Sequence, residues 1–572
     1  MAQAQYGNEW IVPSQTYYKI QTAKDGMYAI PYNSQLQFVN GAPTANLQLW
    51  HRGIEQKITV RDNGNGTFDT GDSIIFFGQK NDGTLDTKLY TPTTSQPHKY
   101  YNLYNDTTAY FLTWGPSTTG QRIASDLTNT VVTAETFHMA QILKVVTDDY
   151  SQGWEYGENK QTYGDVGETW CSNKFNQNSP YVFDTLLSDV NPDPGATFTV
   201  EAMVVGRNAS YNRSVSVTIS NPNSLNQVDY FPLFSIFSTA LFTKSYPASL
   251  LTSPNLTITI TALDGSVIPV QTNYISVAYI KITYPQNTQM GGVTSKFFYP
   301  ANSSSQTYDN ITWSSSSTPL AFDLTDKNNL TALNTTLSGT NLGVFVPAGV
   351  TQFEVIQSDA YLTVPSIKLA DLNPYASATN YTSADFVILT HQKFMTGAET
   401  YADYRRTTGG GHNVLVVDVD KIYDQYSYGE FSPTGIMGFC NYQADNNTHI
   451  KDLFIIGKGL DLIYAGNGGF YRKNPSYYIN NSDPTLRTQN FVPTAGSPPS
   501  DILYSMTNTS GQYIPRFAVG RLSVRADSTI GHYLDKVKSH ETLDSNLLWR
   551  KQLIHLSGGN GASQISQFRI YV

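Results

Sequence analysis

The chain has 572 residues, a formal net charge of −9 and only 14% charged residues. Its length predicts three or four domains, each large enough to bury a core of its own. No run of Lys or Arg could follow a phosphate backbone, which argues against a nucleic-acid partner. No stretch of about 18 apolar residues occurs, which excludes a membrane-spanning helix from the sequence. The 39 tyrosines and the low charge favour β-sheet.

The start of the chain resembles the end of an export signal. Residues 1–9 include the small-residue pattern Ala2-Gln3-Ala4, which is typical of a cleavage site whose charged and apolar regions are missing. We interpret this segment as a signal remnant or as a disordered start, and we expect an exported protein. The only cysteines, Cys171 and Cys440, lie far apart in the sequence, so no disulfide framework is expected.

The first domain is predicted over residues 10–124. Short runs there alternate apolar and polar residues between turn signals such as Asp25-Gly26, which predicts a meander of β-hairpins. Within it, Asp62, Asp69 and Asp72 accompany several glycines. Such clustered oxygen ligands indicate either a tight turn or a calcium loop, although the bidentate Glu of an EF-hand is missing. Both readings stay open at this stage.

Two further β regions follow. Residues 125–292 keep the strand-like alternation, most clearly at Phe198–Val205 and Val215–Ile219, and predict a β-sandwich or jelly roll. Residues 293–380 predict a small β module, in which Gly343–Pro347 and Phe353–Ile356 are the strongest candidate strands; both lie between turn-forming residues. The chain thus begins with a series of β domains.

The pattern changes over residues 381–572. Continuous apolar runs, of the kind buried on both faces of a parallel sheet, alternate with helical segments. Such an order predicts an α/β layer with right-handed crossovers. The expected strands are 385–390, 414–418, 453–457 and 552–557, and the expected helices are 397–407, one beginning near Pro433, and 527–542. The overall fold class is therefore multidomain β plus α/β.

Several segments resemble landmarks of the gingipain-type (C25) cysteine peptidases. In the N-terminal region, Tyr18–Tyr28 and Phe68–Gly78 are similar to the β region of the PorU-like sortases of the type IX secretion system in Bacteroidetes. The match in the α/β region is denser and in the family's order: Ala384–His391, Tyr404–Arg406, Lys421–Asp424, Ile514–Leu522 and Trp549–Lys551. Lys458, where the PorU-like proteins usually carry Asp, and Gly558-Gly559-Asn560, in place of their acidic strand end, depart from the pattern and indicate a divergent branch.

This resemblance implies a fold and an activity. The α/β region would be the first half of a caspase-like catalytic domain, preceded by β-sandwich or jelly-roll modules. The family's catalytic His and Cys would follow Val572, so no catalytic residue is expected within this chain. The implied substrates are proteins or peptides, including C-terminal signals of exported cargo, with an outer-membrane secretion partner. The implied location is the outer membrane, the cell surface or the medium, with no required cofactor and at most a structural calcium ion.

Four residues are candidates for positions beside the active site: His391, Asp461, Asp501 and His555. The two histidines lie at or near the ends of predicted buried strands, the edge where α/β sheets bind ligands; the alternative is an ordinary hydrogen-bonded histidine. Asp501 falls where the family carries an acidic loop near substrate or calcium, and otherwise belongs to a simple turn. Arg521 is expected to form a structural ion pair.

Three other residues invite a catalytic role that the pattern does not favour. Cys440 shares a predicted helix stripe with apolar residues, and Cys171 lies beside Trp170 in a β segment, so both are interpreted as buried hydrophobic side chains. His412 follows three glycines between a helix and a strand and is interpreted as a loop residue. The competing function is a non-catalytic surface-binding or adhesin scaffold, in which exposed Tyr and Trp would form the working surface.

Overall fold

The structure is a computed structural model. It describes residues 6–13, 15–116, 119–153, 162–208, 212–263, 272–372, 380–460, 490–496, 499–509, 512–543 and 547–552. Within those residues, no helix is long and apolar enough to cross a membrane. Three β regions precede one α/β region, as the sequence predicts.

The N-terminal domain is a two-sheet sandwich, and the predicted meander of hairpins is wrong. The first strand of each sheet pairs with a strand far along the chain, and apolar side chains from both sheets form one core. The first sheet contains, in spatial order, Ser366–Ala370, Thr16–Thr22, Thr108–Trp114, Gln48–His51 and Ile54–Gln56. The second sheet contains, in spatial order, Leu362–Thr363, Gly26–Pro31, Ser73–Gly78 and Thr59–Arg61. A short pair of Ala42–Pro43 with Thr67–Phe68 accompanies them.

Two boundaries differ from the prediction. The strands Leu362–Thr363 and Ser366–Ala370, expected in the small module at 293–380, complete the N-terminal sheets. In return, Ala124–Ser125, at the predicted end of the first domain, pairs with the small module. The physical reason is that strand exchange depends on pairing over hundreds of residues, which local alternation does not encode. In addition, residues 6–9, which the sequence places in a signal remnant or disordered start, approach the α/β region, because the Tyr6 hydroxyl donates to Asp445 at 3.0 Å.

The second β region is also a sandwich. Alternate side chains of its two sheets interdigitate in one apolar core that includes Phe198, Val217 and Ile280, which is why the strands alternate in sequence. One sheet contains His138–Val145, Ile275–Gln286, Thr197–Gly206 and Thr239–Pro247. The other sheet contains Tyr181–Leu186, Asn255–Leu263, Ser214–Ser220 and Asn226–Tyr230. A separate hairpin pairs Asp149–Gln152 with Glu168–Cys171.

The small β module has two sheets around a core that contains Trp313 and Phe353. The first sheet contains Ala124–Ser125, Thr331–Ala332, Pro319–Asp323, Phe353–Gln357 and Ser295–Phe298. The second sheet contains Thr307–Thr312, Asn341–Val346 and Thr335–Ser338. The outer face of the first sheet packs against the N-terminal sandwich through Ile356, Met27 and Phe77. The module is therefore joined to the N-terminal domain by an apolar interface.

The α/β region contains a parallel four-stranded sheet. Its strands are β1 (Phe386–Thr390), β2 (Val414–Asp418), β3 (Asp452–Ile456) and β4 (Ala518–Leu522), in the spatial order β2, β1, β3, β4. The helices are α1 (Met395–Arg406), α2 (Val419–Tyr426), α3 (Pro433–Asn446) and α4 (Ser528–Glu541), and a hairpin pairs Met506–Thr509 with Gln512–Pro515. Buried apolar side chains on β1, β2 and β3 explain the continuous runs in the sequence. The predicted strand at 552–557 lies almost wholly outside the described residues.

Candidate functional site

The candidate site is the edge of the sheet where the parallel strands end. β1 is followed by His391, β2 ends at Asp418, β3 is followed by Gly457, and Arg521 lies next to the last residue of β4. Parallel strands place their carboxyl ends at one edge, and open α/β sheets bind ligands there. Topology therefore brings residues from four separate segments to one place.

His391 lies at the centre of this edge. Its Nδ1 accepts the backbone N–H of Lys393 at 3.1 Å, and its Nε2 is 3.8 Å from a carboxylate oxygen of Asp420. The ring centroid is 5.4 Å from that of Phe491, and the side chain is 30% exposed. The imidazole is thus oriented on one side and reachable by solvent on the other. Its proximity to the active site stays a prediction.

Asp418 is a member of this edge that the sequence reasoning did not single out. It caps α2, because its carboxylate accepts the N–H of Asp420 at 3.1 Å. Burial raises the pKa of Asp418, and the neighbouring charge of Asp420 adds to the shift, against the opposing effect of His391. The available signal was an acidic residue that directly follows a buried strand of Val and Leu.

Arg521 forms the predicted ion pair and binds the loop between β3 and β4. Its Nε and one terminal nitrogen donate to both oxygens of Asp501, at 2.7 and 2.6 Å. The remaining N–H groups donate to the carbonyl oxygens of Gly457, Val492 and Pro493, at 2.7, 2.9 and 3.3 Å. All five guanidinium N–H groups therefore have acceptors. Asp501 is engaged in holding the loop, and its contact with substrate or calcium stays a prediction.

The other candidates at this edge are not placed. Asp461 and His555 lie outside the described residues, so their proposed positions beside the site remain predictions. Lys458, the departure from the family pattern, contributes its backbone to the edge: its N–H donates to Val524 O at 3.1 Å and its carbonyl accepts the N–H of Phe491 at 2.9 Å. Its backbone therefore ties the end of β3 to the loop after it.

Both cysteines are buried, as predicted. Cys440 lies on α3 in the core of the α/β region, and burial raises the pKa of its thiol. Burial also raises the pKa of Cys171, to about 11, although Arg207 opposes the shift and donates to its sulfur at 3.4 Å. A nucleophilic cysteine needs a lowered pKa and access to substrate. Neither thiol has these properties.

His412 lies at the opposite edge of the sheet. It precedes β2, and its Nδ1 is 3.2 Å from a carboxylate oxygen of Asp385, just before β1. The amino ends of β1 and β2 are far from the edge described above, because the strands are parallel. The interpretation of His412 as a loop residue is therefore confirmed.

The three N-terminal aspartates form a turn. Asp72 accepts the backbone N–H groups of Asn63 and Asp69, at 3.1 and 2.8 Å, and Asp62 accepts that of Gly64 at 2.7 Å. Asp69 accepts the side-chain amide of Asn65 at 2.9 Å. Within the part of the chain that the structure describes, no group of three or more His, Cys, Asp or Glu could hold a metal ion. The three aspartates thus lie in a hydrogen-bonded turn, and a calcium ion bound to Asp62, Asp69 and Asp72 stays a prediction.

Comparison with known proteins supports the family resemblance. Residues 379–571 match the family model described as Peptidase family C25. The crystal structure of dimeric latent PorU from Porphyromonas gingivalis is similar with a TM-score of 0.63 at 14% identity, and the match covers 96% of this chain and 52% of that one. The chain therefore spans about half the length of that PorU.

Other similarities are too weak to carry an argument. A particle structure of infectious bursal disease virus has a TM-score of 0.19 at 10% identity, covering 69% of this chain and 86% of that one. A GH115 4-O-methyl-α-glucuronidase has a TM-score of 0.16 at 10% identity, covering 28% and 20%. Among curated proteins, no sequence matches. Together, these comparisons show that the α/β region matches the model of peptidase family C25, in a chain whose multidomain β plus α/β fold is similar to that of PorU.

Proposed function

We propose that this chain is the front part of an exported gingipain-like cysteine peptidase or PorU-like sortase, which cleaves or transfers exported proteins at peptide bonds. The observation that carries the proposal is the coincidence of the C25 match at 379–571 with a parallel sheet whose carboxyl edge presents His391 beside a loop fixed by Arg521. That edge is where an α/β enzyme assembles its chemistry.

The chemistry needs a thiolate, an imidazole to activate it and donors for the oxyanion. Cys171 and Cys440 are unsuited to the first role, because both are buried and their pKa values are raised. We therefore expect the nucleophile and its histidine beyond Val572, approaching the edge that His391 and Asp418 occupy. On this account the 572 residues alone are inactive.

The substrates follow from the same proposal. They would be proteins or peptides, including the C-terminal signals of exported cargo, delivered with an outer-membrane secretion partner at the cell surface or outside the cell. The low content of charged residues, 14%, and the acidic net charge of −9 fit a protein substrate better than a nucleic acid. The mechanism requires no cofactor. A structural calcium ion at Asp62, Asp69 and Asp72 stays part of the proposal.

The test is cleavage of an exported protein that carries its C-terminal signal, by the full-length protein, with and without a thiol-alkylating reagent. We expect cleavage that alkylation abolishes. The matched control is the double variant Cys171→Ala and Cys440→Ala, which should keep this alkylation-sensitive activity because neither thiol takes part. Cleavage that survives alkylation, or a folded control variant that has lost it, would contradict the proposal.

A binding role is the second candidate, and one surface favours it. The outer face of a sheet in the second sandwich exposes Val182, Leu186, Val228 and Tyr230, which are between 50% and 64% accessible. Exposed apolar patches often mark interaction surfaces. A full-length protein that folds, binds a cell-surface component and shows no thiol-dependent cleavage would favour this adhesin-like scaffold.

A further inference from the structure

Residues 490–496 and 499–505, which are described parts of the loop between β3 and β4, pack against side chains from the β domains. Its residues Ala495 and Leu503 are buried in a cluster with Leu103 and Tyr104 of the N-terminal domain and with Trp170 of the hairpin in the second β region. We call this cluster the interdomain floor. Aromatic rings of this size contribute most of the buried apolar area in such a cluster. The floor therefore supports the same loop that Arg521 holds from the side of the sheet.

Two direct contacts fix the loop on this floor. The Tyr104 hydroxyl donates to the carbonyl oxygen of Thr494 at 3.4 Å. Gly496 has a φ of +79°, and a Cβ at this position would lie only 2.6 Å from the carbonyl oxygen of Thr162. Both the backbone conformation and the close approach require glycine here. The loop thus approaches the N-terminal domain at Thr494 and the second β region at Gly496, two residues further on.

A buried ion pair joins the same domains nearby. Arg52 of the N-terminal domain donates to both oxygens of Glu430, at 2.8 and 3.2 Å, and to Asp82 at 2.7 Å. Glu430, between α2 and α3, is 1% exposed and also accepts the hydroxyl of Thr108 at 2.7 Å. Phe431, the next residue, packs against the interdomain floor. The ion pair therefore fixes the corner of the α/β region beside the floor.

We propose that Tyr104, Trp170 and Arg52 are positioning residues for the loop at the carboxyl edge, so that the candidate site is a composite of three domains. The β domains then serve the peptidase region as structural parts, and are not independent modules attached to it. The value of this arrangement for catalysis rests on the proposed function, whereas the positioning itself can be measured without any activity.

The test is amide hydrogen exchange of the 572-residue chain. In Tyr104→Ala, we expect exchange over residues 490–496 and 499–505 to rise at least tenfold, while β1 and β3 keep the wild-type rates, because only the interdomain floor is disrupted.

Gly496→Ala should give the same local increase in exchange without removing an aromatic ring from the interdomain floor. Its control is Gly64→Ala, since Gly64 also has a positive φ, +90°, but has open space around it; it should leave the loop unchanged.

A second pair of variants tests the contribution of the ion pair. Arg52→Met leaves Glu430 buried without its partner and should speed exchange in the loop, whereas Arg52→Met with Glu430→Met should restore much of the protection, because both charges are then absent. Wild-type loop exchange in folded Gly496→Ala and Arg52→Met would overturn the proposal. A loss of thiol-dependent cleavage in the full-length protein with unchanged exchange would bear on the proposed function alone.

Discussion

The α/β region and the small β module bury charge in opposite ways. At the carboxyl edge, every N–H group of Arg521 has an acceptor, and the charge holds a loop. In the module, Asp309 is 0% exposed, and neither carboxylate oxygen has a hydrogen-bond partner in the part of the chain that the structure describes. Thr307 and Ile311, two positions before and two after Asp309 on the same strand, lie on the same face of the sheet as Asp309, the face that packs on the core of the module.

The difference shows that a buried ionisable residue has a different structural effect in each region. A paired charge orders the segment that supplies its partners, whereas an unpaired carboxyl in an apolar core is kept neutral. Burial raises the pKa of Asp309 to about 8, and Glu135 adds to the shift; burial raises the pKa of Glu354 to about 7, although the Ser295 hydroxyl opposes it. The module therefore carries protons at neutral pH that an unfolded chain would release.

The largest effect should follow removal of the paired charge. Arg521→Met leaves Asp501 and three carbonyl groups without their donor, and we expect it to lower the free energy of unfolding of the α/β region by about 3–5 kcal/mol. Urea denaturation followed by hydrogen exchange of β3 and β4 would measure this. The control is Arg61→Gln, which removes a surface hydrogen bond to the Tyr361 hydroxyl and a cation–π contact with the same ring. Equal effects of the two variants would show that the buried ion pair of Arg521 contributes no more to stability than a surface contact does.

The unpaired carboxyl should behave in the opposite sense. The pKa of Asp309 is raised on folding, so its protonated form stabilises the module below about pH 4, and that contribution is lost as pH rises toward 8. Asp309→Asn should remove this loss and stabilise the module by about 1–3 kcal/mol at pH 8 relative to pH 4.5. Thermal unfolding at both pH values tests it. A variant with the wild-type pH dependence would show that Asp309 is paired.

Glu354 should have a smaller effect on the stability of the module than Asp309, and its effect should end at a lower pH. Its Oε1 accepts the Ser295 hydroxyl, and the other oxygen is unpartnered among the described residues. Glu354→Gln should therefore remove the loss of stability between about pH 4.5 and pH 7, with a gain of about 1 kcal/mol at pH 7 and little further change above it. Thermal unfolding at pH 4.5, 7 and 8 would measure this, and a gain confined to pH above 7 would contradict it.

The smallest effects should come from the two histidines at the two edges of the sheet. His412→Ala loses a half-buried pair with Asp385 and should cost about 0.5–1 kcal/mol, whereas His391→Ala should change stability by less than about 0.5 kcal/mol. In the full-length protein, His391→Ala should nevertheless reduce cleavage more than His412→Ala does. The reverse order of activities would place the site at the other edge.

Much of the α/β region was readable from the sequence. The strands β1, β2 and β3 are continuous apolar runs because helices cover both faces of the sheet, and the structure places them within a residue of the prediction. β4 was recognised only as a family landmark, since its Gly520 and Arg521 interrupt the apolar pattern. The ion pair of Arg521 was expected, but not its partners, which lie twenty or more residues earlier in the chain.

The β domains show where local patterns stop being informative. Alternation on both sides of the turn at Asp25-Gly26 indicated strands there, yet it gave no sign that Ser366–Ala370 pairs with Thr16–Thr22 across more than three hundred residues. The aspartates at the turn have the residue types of a metal site, and only the structure shows that Asp62 and Asp72 accept backbone N–H groups there. Pairing over long distances and the direction of individual carboxylates are properties of the folded chain.

Labelling of the full-length protein with an activity-directed thiol probe tests the central claim most directly. The labelled peptide would be identified by mass spectrometry, with this 572-residue chain treated in parallel. We predict one labelled cysteine beyond Val572, and no label on Cys171 or Cys440 in either protein. A label on Cys171 or Cys440 in the native state, or a folded full-length protein that takes no label, would contradict the peptidase account.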